Sequence, residues 1–433
     1  MKIRTAFIAT LLVLLIISVP ASAAKAKNPM CNINDQLAEL EIESSPLSTG
    51  MPECYPAVTE VDRTGIVCDN MAKYKIKISV GPGEYDSITL TGYVRETKPW
   101  HTSSNKNLII LPGQSLTESF YSDMAIYYAQ EGYCVYVLDR RETNVPVTET
   151  DFSYMEGWTI DKYLSDTYCG VAVSRIQTSL LNNRPAGEVE VMAIGHSHGA
   201  LILTAYEAGE YDDSLLGSVD KVVPVEIIIR YDPAYPELIQ AQAQQFVEIS
   251  ESIEMGTYNA DNMAGMMQLA YLASASPDDE SPVLPGLTNR QVFRLMASQT
   301  YMFSEYPYTE DYHYWSGDVD GLYYVDENRV LNAALNGGAV PYAPINMDLY
   351  MAGLMGNMEG YEIDPARVDS PVLYVGLGGG FGAYGSWWYE NEVGKINGKV
   401  KSIIWNDQGH GSIALDYNSP ELWSEINCWL EDN

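Results

Sequence analysis

Between about residues 106 and 210, short unbroken apolar runs alternate with stretches of helical spacing. "NLIILPG" precedes "SLTESFYSDMAIYYAQEGY", "CVYVLDR" precedes "IDKYLSDTYCGVAVSRIQTSLLN", and "VEVMAIGH" precedes "HGALILTAYEAGE". An apolar run of this length without polar alternation fits a strand covered on both faces. Such strands are joined by helical crossovers, so the chain is expected to be α/β, with a mostly parallel sheet and helices on both faces. Upstream, "YKIKISV" and "SITLTGYV" alternate around the turn "GPGEY", which reads as an antiparallel hairpin.

A further strand is read in "VDKVVPVEIIIR", ending at Arg230. The alternation then stops. From about Tyr231 the chain is rich in Tyr, Met and Gln, with helix-like pieces such as "ELIQAQAQQFVEISESI". It resumes with "PVLYVGLGGG" and "VKSIIWND" and closes on the helix-like "PELWSEINCWLED". The expected organisation is a core over 71–230 and 366–433, split by a large, mainly helical insertion over 231–365. Pro29, Pro46, Pro52 and Pro56 break up the segment before it, and 25–70 is expected to be irregular.

The first 24 residues read as a secretory signal peptide. Lys2 and Arg4 precede the apolar run "AFIATLLVLLIISVP", and the small residues of "ASAAKAK" offer cleavage after Ala23 or Ala24. No later segment is apolar over the length that a membrane span needs. The expected product is exported, with no stable membrane insertion. The net charge of −33 argues against nucleic acid or an anionic membrane as partner, since both call for a basic surface. Export permits disulfides, and Cys31, Cys54 and Cys68 are expected to supply at least one. Cys134, inside an apolar run, is expected to be a buried thiol. No Cys-x-x-Cys pair supports a zinc or redox site.

The stretch carrying chemistry is "AIGHSHGAL", Ala193 to Leu201. Gly-x-Ser-x-Gly alone is a weak signal. Here it falls where a buried strand gives way to a helix, so a sharp turn would lift Ser197 above the sheet, with a helix N-terminus beside its oxygen. A serine hydroxyl needs a base. His196 and His198 flank Ser197 in the turn and are expected to point away from its side chain. His410, in "WNDQGHGSI" after the last expected strand, reaches the same sheet edge and is the expected base. An oxyanion needs two backbone N–H donors. His198, next after the serine, is expected to give one, and Gln114 in "LPGQS" the other.

With these residues in order, the chain resembles the α/β-hydrolases, and within them the capped lipase, esterase and lysophospholipase-like branch. The resemblance covers about 71–230 and 366–433. It implies that an acyl group passes to the serine, that water releases it, and that 231–365 is a cap. It also implies an acid after the strand "PVLYVG", but "LGGGFGAYGSWW" has no Asp or Glu before Glu390. Some members carry the acid one strand earlier, which points to Asp232 at the end of "VEIIIR", with Glu390 and Asp407 as alternatives. The expected substrate is a small-molecule or lipid-like carboxylic ester, with no cofactor and no metal. A peptidase or amidase using the same groups, and a non-catalytic hydrolase fold that binds a ligand or partner, are the other readings. "GDVDGLYYVDEN" departs from the spacing of a calcium loop and reads as an acidic turn. Tyr outnumbers Phe 32 to 7, and many Tyr fall in the insertion, as in "MFSEYPYTEDYHYW" from Met302 to Trp315; they fit either a pocket that is apolar yet hydrogen-bonding or half-exposed packing.

Overall fold

The structure is a computed structural model and describes residues 57–68, 70–209, 211–259, 262–297, 317–338 and 363–433. The expected signal peptide, Cys31, Cys54 and the tyrosine-rich stretch from Met302 to Trp315 lie outside these residues.

The first half of the sheet comprises β1 (Ala57–Cys68), β2 (Met71–Ser79), β3 (Ser87–Arg95), β4 (Lys106–Leu111), β5 (Cys134–Asp139), β6 (Glu190–His196) and β7 (Lys221–Val225). Helices α1 (Glu118–Gln130) and α2 (Ile160–Asn182) follow β4 and β5, and α3 (His198–Glu207) follows β6. After β7 come α4 (Pro236–Glu254), α5 (Asn262–Ala275), α6 (Asn289–Ala297), a two-strand ribbon β8 (Gly317–Asp318) and β9 (Gly321–Leu322), and α7 (Glu327–Leu335). The main sheet resumes with β10 (Val372–Leu377), α8 (Gly382–Trp388) and β11 (Val400–Trp405), and α9 (Ser412–Leu415) and α10 (Ser419–Asp432) close the chain.

The nine strands run β1-β2-β3-β5-β4-β6-β7-β10-β11 across the sheet. From β5 to β11 every neighbouring pair is parallel, and β1, β2 and β3 add an antiparallel flank. The sequence pattern explains the division. β2 alternates, with Tyr74, Ile76 and Ile78 buried and Lys75 and Lys77 exposed. β5, β7 and β10 carry buried apolar side chains on both faces, one facing α2 and α3 and the other α1 and α10.

Two expectations about element boundaries fail. Residues 57–68 form β1 instead of an irregular segment. The prolines end at Pro56, and the chain beyond it pairs with β2 through register shifts at Val58/Glu60 and Thr64/Ile66. Such bulges twist an edge strand and blunt it against further pairing. The second failure is β7, which stops at Val225, five residues before Arg230. Ile227, Ile228 and Ile229 are buried, but in a loop.

Several details replace open sequence readings. Cys134 is a buried free thiol. In "GDVDGLYYVDEN", Asp326 caps α7 by accepting from the Asn328 N–H at 2.8 Å, and among the described residues no group of three or more His, Cys, Asp or Glu could hold a metal ion. Tyr74, Tyr93, Tyr121, Tyr128, Tyr136, Tyr163 and Tyr206 are all fully buried. These tyrosines, all outside the insertion, are core side chains with a hydroxyl to place, as where Tyr206 donates to the Gly217 carbonyl at 2.8 Å. No helix among the described residues is long and apolar enough to cross a membrane.

The far end of α3 carries a pH-dependent strain. Burial pushes the Glu207 carboxyl up to about 7, against the lowering effect of the Ser370 N–H that it accepts at 3.0 Å. Burial likewise raises Asp212. An unfolded Glu titrates near 4.3, so between these values the folded chain holds a proton that the unfolded chain releases. Stability from this group is complete below about pH 4 and is lost as pH rises through about 7. Glu207→Gln keeps an acceptor for Ser370 and removes the titration. Its stability relative to wild type should rise by up to about 1.4 kcal/mol per pH unit between pH 5 and 7. Denaturant titrations of the two proteins at each pH measure this, and a pH-independent difference refutes it.

Candidate active site

β6 delivers the chain to His196, and α3 starts at His198. Ser197 makes the whole turn, at φ 55° and ψ −123°. That conformation is unfavourable for any residue with a Cβ and costs about 1–3 kcal/mol, which the surroundings must over-determine. They do so by close contact. A Cβ on Gly195 would stand 2.6 Å from the Gly199 oxygen, and one on Gly199 would stand 2.1 Å from the Leu111 oxygen. β6, α3 and the end of β4 therefore approach each other only with glycine at both places. The Ser197 N–H donates to the Val225 carbonyl at 2.8 Å, tying the turn to the end of β7.

The next strand end carries the second group. His196 pairs with Val225 and Val225 with Val375, so β6 and β7 finish level while β10 runs on to Leu377. Glu226, the first residue past β7, has φ 58° and is fully buried. Its Oε1 accepts from the N–H of Leu377 at 2.5 Å and of Gly382 at 2.9 Å. Its Oε2 accepts from the N–H of Phe381 at 2.8 Å and from His410 Nδ1 at 3.0 Å. The glycine-rich loop after β10 thus wraps a carboxylate in backbone donors. A carboxylate only accepts, so the His410 proton sits on Nδ1 and Nε2 keeps its lone pair. An imidazole in that state can take a proton.

The turn after β4 lies against the elbow, since a Cβ on Gly113 would come within 3.4 Å of the Ser197 Cβ. Ser115 is buried with φ 60°. The Leu116 N–H closes the turn on the Gly113 carbonyl at 3.2 Å, leaving Gln114 at its corner. Arg140, buried at the end of β5, grips the turn from below. Its Nη1 donates to the Pro112 carbonyl at 2.5 Å, its Nη2 to the Gly113 carbonyl at 2.8 Å, and its Nε to Glu142 at 2.7 Å.

A solved structure shares the fold. A protein from Sulfolobus solfataricus described as a "putative lipase" superposes with a TM-score of 0.57 at 16% identity, over 86% of this chain and 99% of its own. The fold is that of the α/β-hydrolases. A bromoperoxidase from Bacillus anthracis matches at 14% identity and TM-score 0.46, covering 80% of this chain and 96% of its own. An epoxide hydrolase from Vigna radiata matches at 11% and 0.45, covering 87% and 100%. No protein-family model and no curated protein matches the sequence.

In this α/β-hydrolase fold, Gln114, Ser197 with His198, and His410 follow β4, β6 and β11, parallel strands that end at one edge of the sheet. Asp232 does not join them at His410. Its Oδ1 accepts from the Ala234 N–H at 2.8 Å and its carbonyl from the Tyr235 N–H at 2.9 Å, so it shapes the turn into α4. Glu390 is exposed, and Asp407 occupies the turn that follows β11. The carboxylate on His410 belongs to Glu226, which the sequence reading passed over as a strand interior. A signal was available. Glu226 is the one charged side chain in "VVPVEIII", and a carboxylate in a buried apolar run must find donors.

Proposed function

We propose that this chain is a serine hydrolase of carboxylic esters. Ser197 is its nucleophile, His410 its base and then its acid, and Glu226 the carboxylate that orients His410. The observation that carries the reading is the Glu226–His410 contact, level with a strained serine on the neighbouring strand. Ser197 Oγ attacks the acyl carbonyl while His410 Nε2 takes its proton. The carbonyl π electrons move to oxygen, and the backbone N–H groups of Gln114 and His198 receive the developing charge. Collapse breaks the bond to the alcohol, which leaves with the proton from His410. Water then repeats the attack on the acyl-serine, again losing a proton to His410. The acid departs and the serine regains its hydrogen. Glu226 goes on accepting the Nδ1 hydrogen while the imidazole carries the transferred proton.

The acid-free loop after β10 is the feature that would favour the non-catalytic reading. Glu226 takes that support away, because the loop donates to an acid where it was expected to carry one. We further propose export, with residues 1–24 as signal peptide, and 231–365 as a cap over the site. Labelling with a fluorophosphonate probe tests the central claim. Wild type should label, and Ser197→Ala and His410→Ala should not. A folded wild type that stays unlabelled, or labelling that survives Ser197→Ala, refutes the assignment. An ester and amide panel run beside it distinguishes an esterase from a peptidase or amidase.

A further inference from the structure

The proposed roles leave His196 and Tyr121 without a part, yet both are buried at the centre of the site. His196 Nε2 lies 2.7 Å from the His410 carbonyl oxygen. Its Nδ1 lies 2.7 Å from the Tyr121 hydroxyl, and that hydroxyl accepts the Gly113 N–H at 2.8 Å. Each hydrogen has one possible place. A carbonyl only accepts, so Nε2 carries the imidazole hydrogen. Nδ1 is then an acceptor, so the tyrosine hydroxyl donates to it, which leaves the hydroxyl oxygen to receive the Gly113 N–H. The chain runs in one direction, from Gly113 through Tyr121 and His196 to the backbone of His410.

We infer that His196 and Tyr121 are positioning residues, forming a strut that sets the spacing between the turn holding Gln114 and the loop holding His410. The inference rests on the proposed serine-hydrolase reading. The first end of the strut is next to the proposed oxyanion donor and the other end is the proposed base itself. Catalysis needs both groups placed around one carbonyl, and a displacement of about 1 Å can cost about 10²-fold in rate. The strut is built to stay neutral. Burial holds the His196 imidazole down to about 3, with the nearby His410 adding to the effect. A proton on Nδ1 would face the tyrosine hydroxyl hydrogen and force the hydroxyl to turn away from His196. The Gly113 N–H is also committed to the strut, in keeping with the oxyanion donor being Gln114.

The test compares wild type, Tyr121→Phe, His196→Ala, His196→Gln and the double variant Tyr121→Phe/His196→Ala on p-nitrophenyl butyrate. Tyr121→Phe should lower kcat about 10-fold and His196→Ala between about 10- and 100-fold, with KM within about 2-fold. The double variant should be no worse than His196→Ala, because the two changes cut one chain. His196→Gln, whose amide N–H can still reach the His410 carbonyl, should recover part of the loss. Additive losses, or full kcat in folded Tyr121→Phe, overturn the inference. Nitrogen-15 spectra of the wild-type imidazoles give a readout that needs no turnover. His196 should show hydrogen on Nε2, a bare Nδ1 and no titration above about pH 5; the opposite tautomer overturns the strut. If wild type neither turns over the ester nor labels with the fluorophosphonate, the serine-hydrolase reading and the positioning role both fall. The spectrum then decides only whether the strut exists.

Discussion

Replacing Glu226 by Gln is expected to lower kcat for ester hydrolysis by about 10³- to 10⁴-fold, while Asp232→Asn stays within about 2-fold of wild type. The difference follows from what each carboxylate touches. Glu226 Oε2 receives the His410 Nδ1 hydrogen at 3.0 Å. An amide must turn either its oxygen or its NH2 toward that imidazole. With NH2 inward, His410 can meet it only by moving its own hydrogen to Nε2, where a lone pair is needed to accept the serine proton. With oxygen inward, the NH2 faces the N–H groups of Leu377 and Gly382, which now have no acceptor. The first arrangement strands one buried donor, the Phe381 N–H, against two in the second; at about 1–3 kcal/mol each the first is favoured and the base is lost. Asp232 accepts only from its own turn, and Asn there can accept the same bond. Steady-state kinetics on both variants, with thermal melts as a folding control, measure the effect. Comparable losses from the two, or full activity in Glu226→Gln, remove Glu226 from the mechanism.

Much of this arrangement was legible in the sequence, for an identifiable reason. A parallel strand covered on both faces has no room for polar alternation, so β4, β5, β6 and β10 announce themselves as apolar runs. Helix α2 matches its segment "IDKYLSDTYCGVAVSRIQTSLLN" end to end, and Asn183 stops it in the left-handed conformation at φ 56°. Ser197 was legible because its turn needs glycine on both sides. The carboxylate was misplaced because hydrophobicity reports burial and not backbone pairing. Ile227, Ile228 and Ile229 are buried like the strand residues before them. Ile228 and Tyr231 pack in a separate small cluster with Leu238, Phe381 and Tyr384. The strand therefore appeared to run on to Arg230, and its end was sought at Asp232. The role of "LGGGFG" was hidden for a related reason. Its contribution is three backbone N–H groups, which every residue but proline possesses, so no side chain marks it.

That loop carries the second large effect. Gly380→Ala should abolish most of the activity, lowering kcat by at least about 10²-fold. A Cβ at residue 380 would fall 1.6 Å from Glu226 Oε2 and 3.2 Å from the His410 Cα. The first distance is far inside contact, so something must yield. The carboxylate is held by Leu377, Phe381, Gly382 and His410 together, and Gly380 itself donates to the Leu377 carbonyl at 2.9 Å. Either Glu226 leaves the imidazole or the loop lifts off the carboxylate, and both outcomes loosen His410. Overpacking of this kind typically destabilises by about 1–3 kcal/mol, so a lower melting temperature should accompany the loss. A suppressor separates this cause from general damage to the loop. Glu226→Ala removes the oxygen that the new methyl strikes. The double variant Gly380→Ala/Glu226→Ala should therefore be no slower than Glu226→Ala alone and should regain melting temperature relative to Gly380→Ala alone. Losses that simply add would mean that the glycine serves something other than the carboxylate. Full activity in Gly380→Ala would mean that the loop moves without cost, and that the buried Glu226 does not hold His410 in a position the reaction depends on.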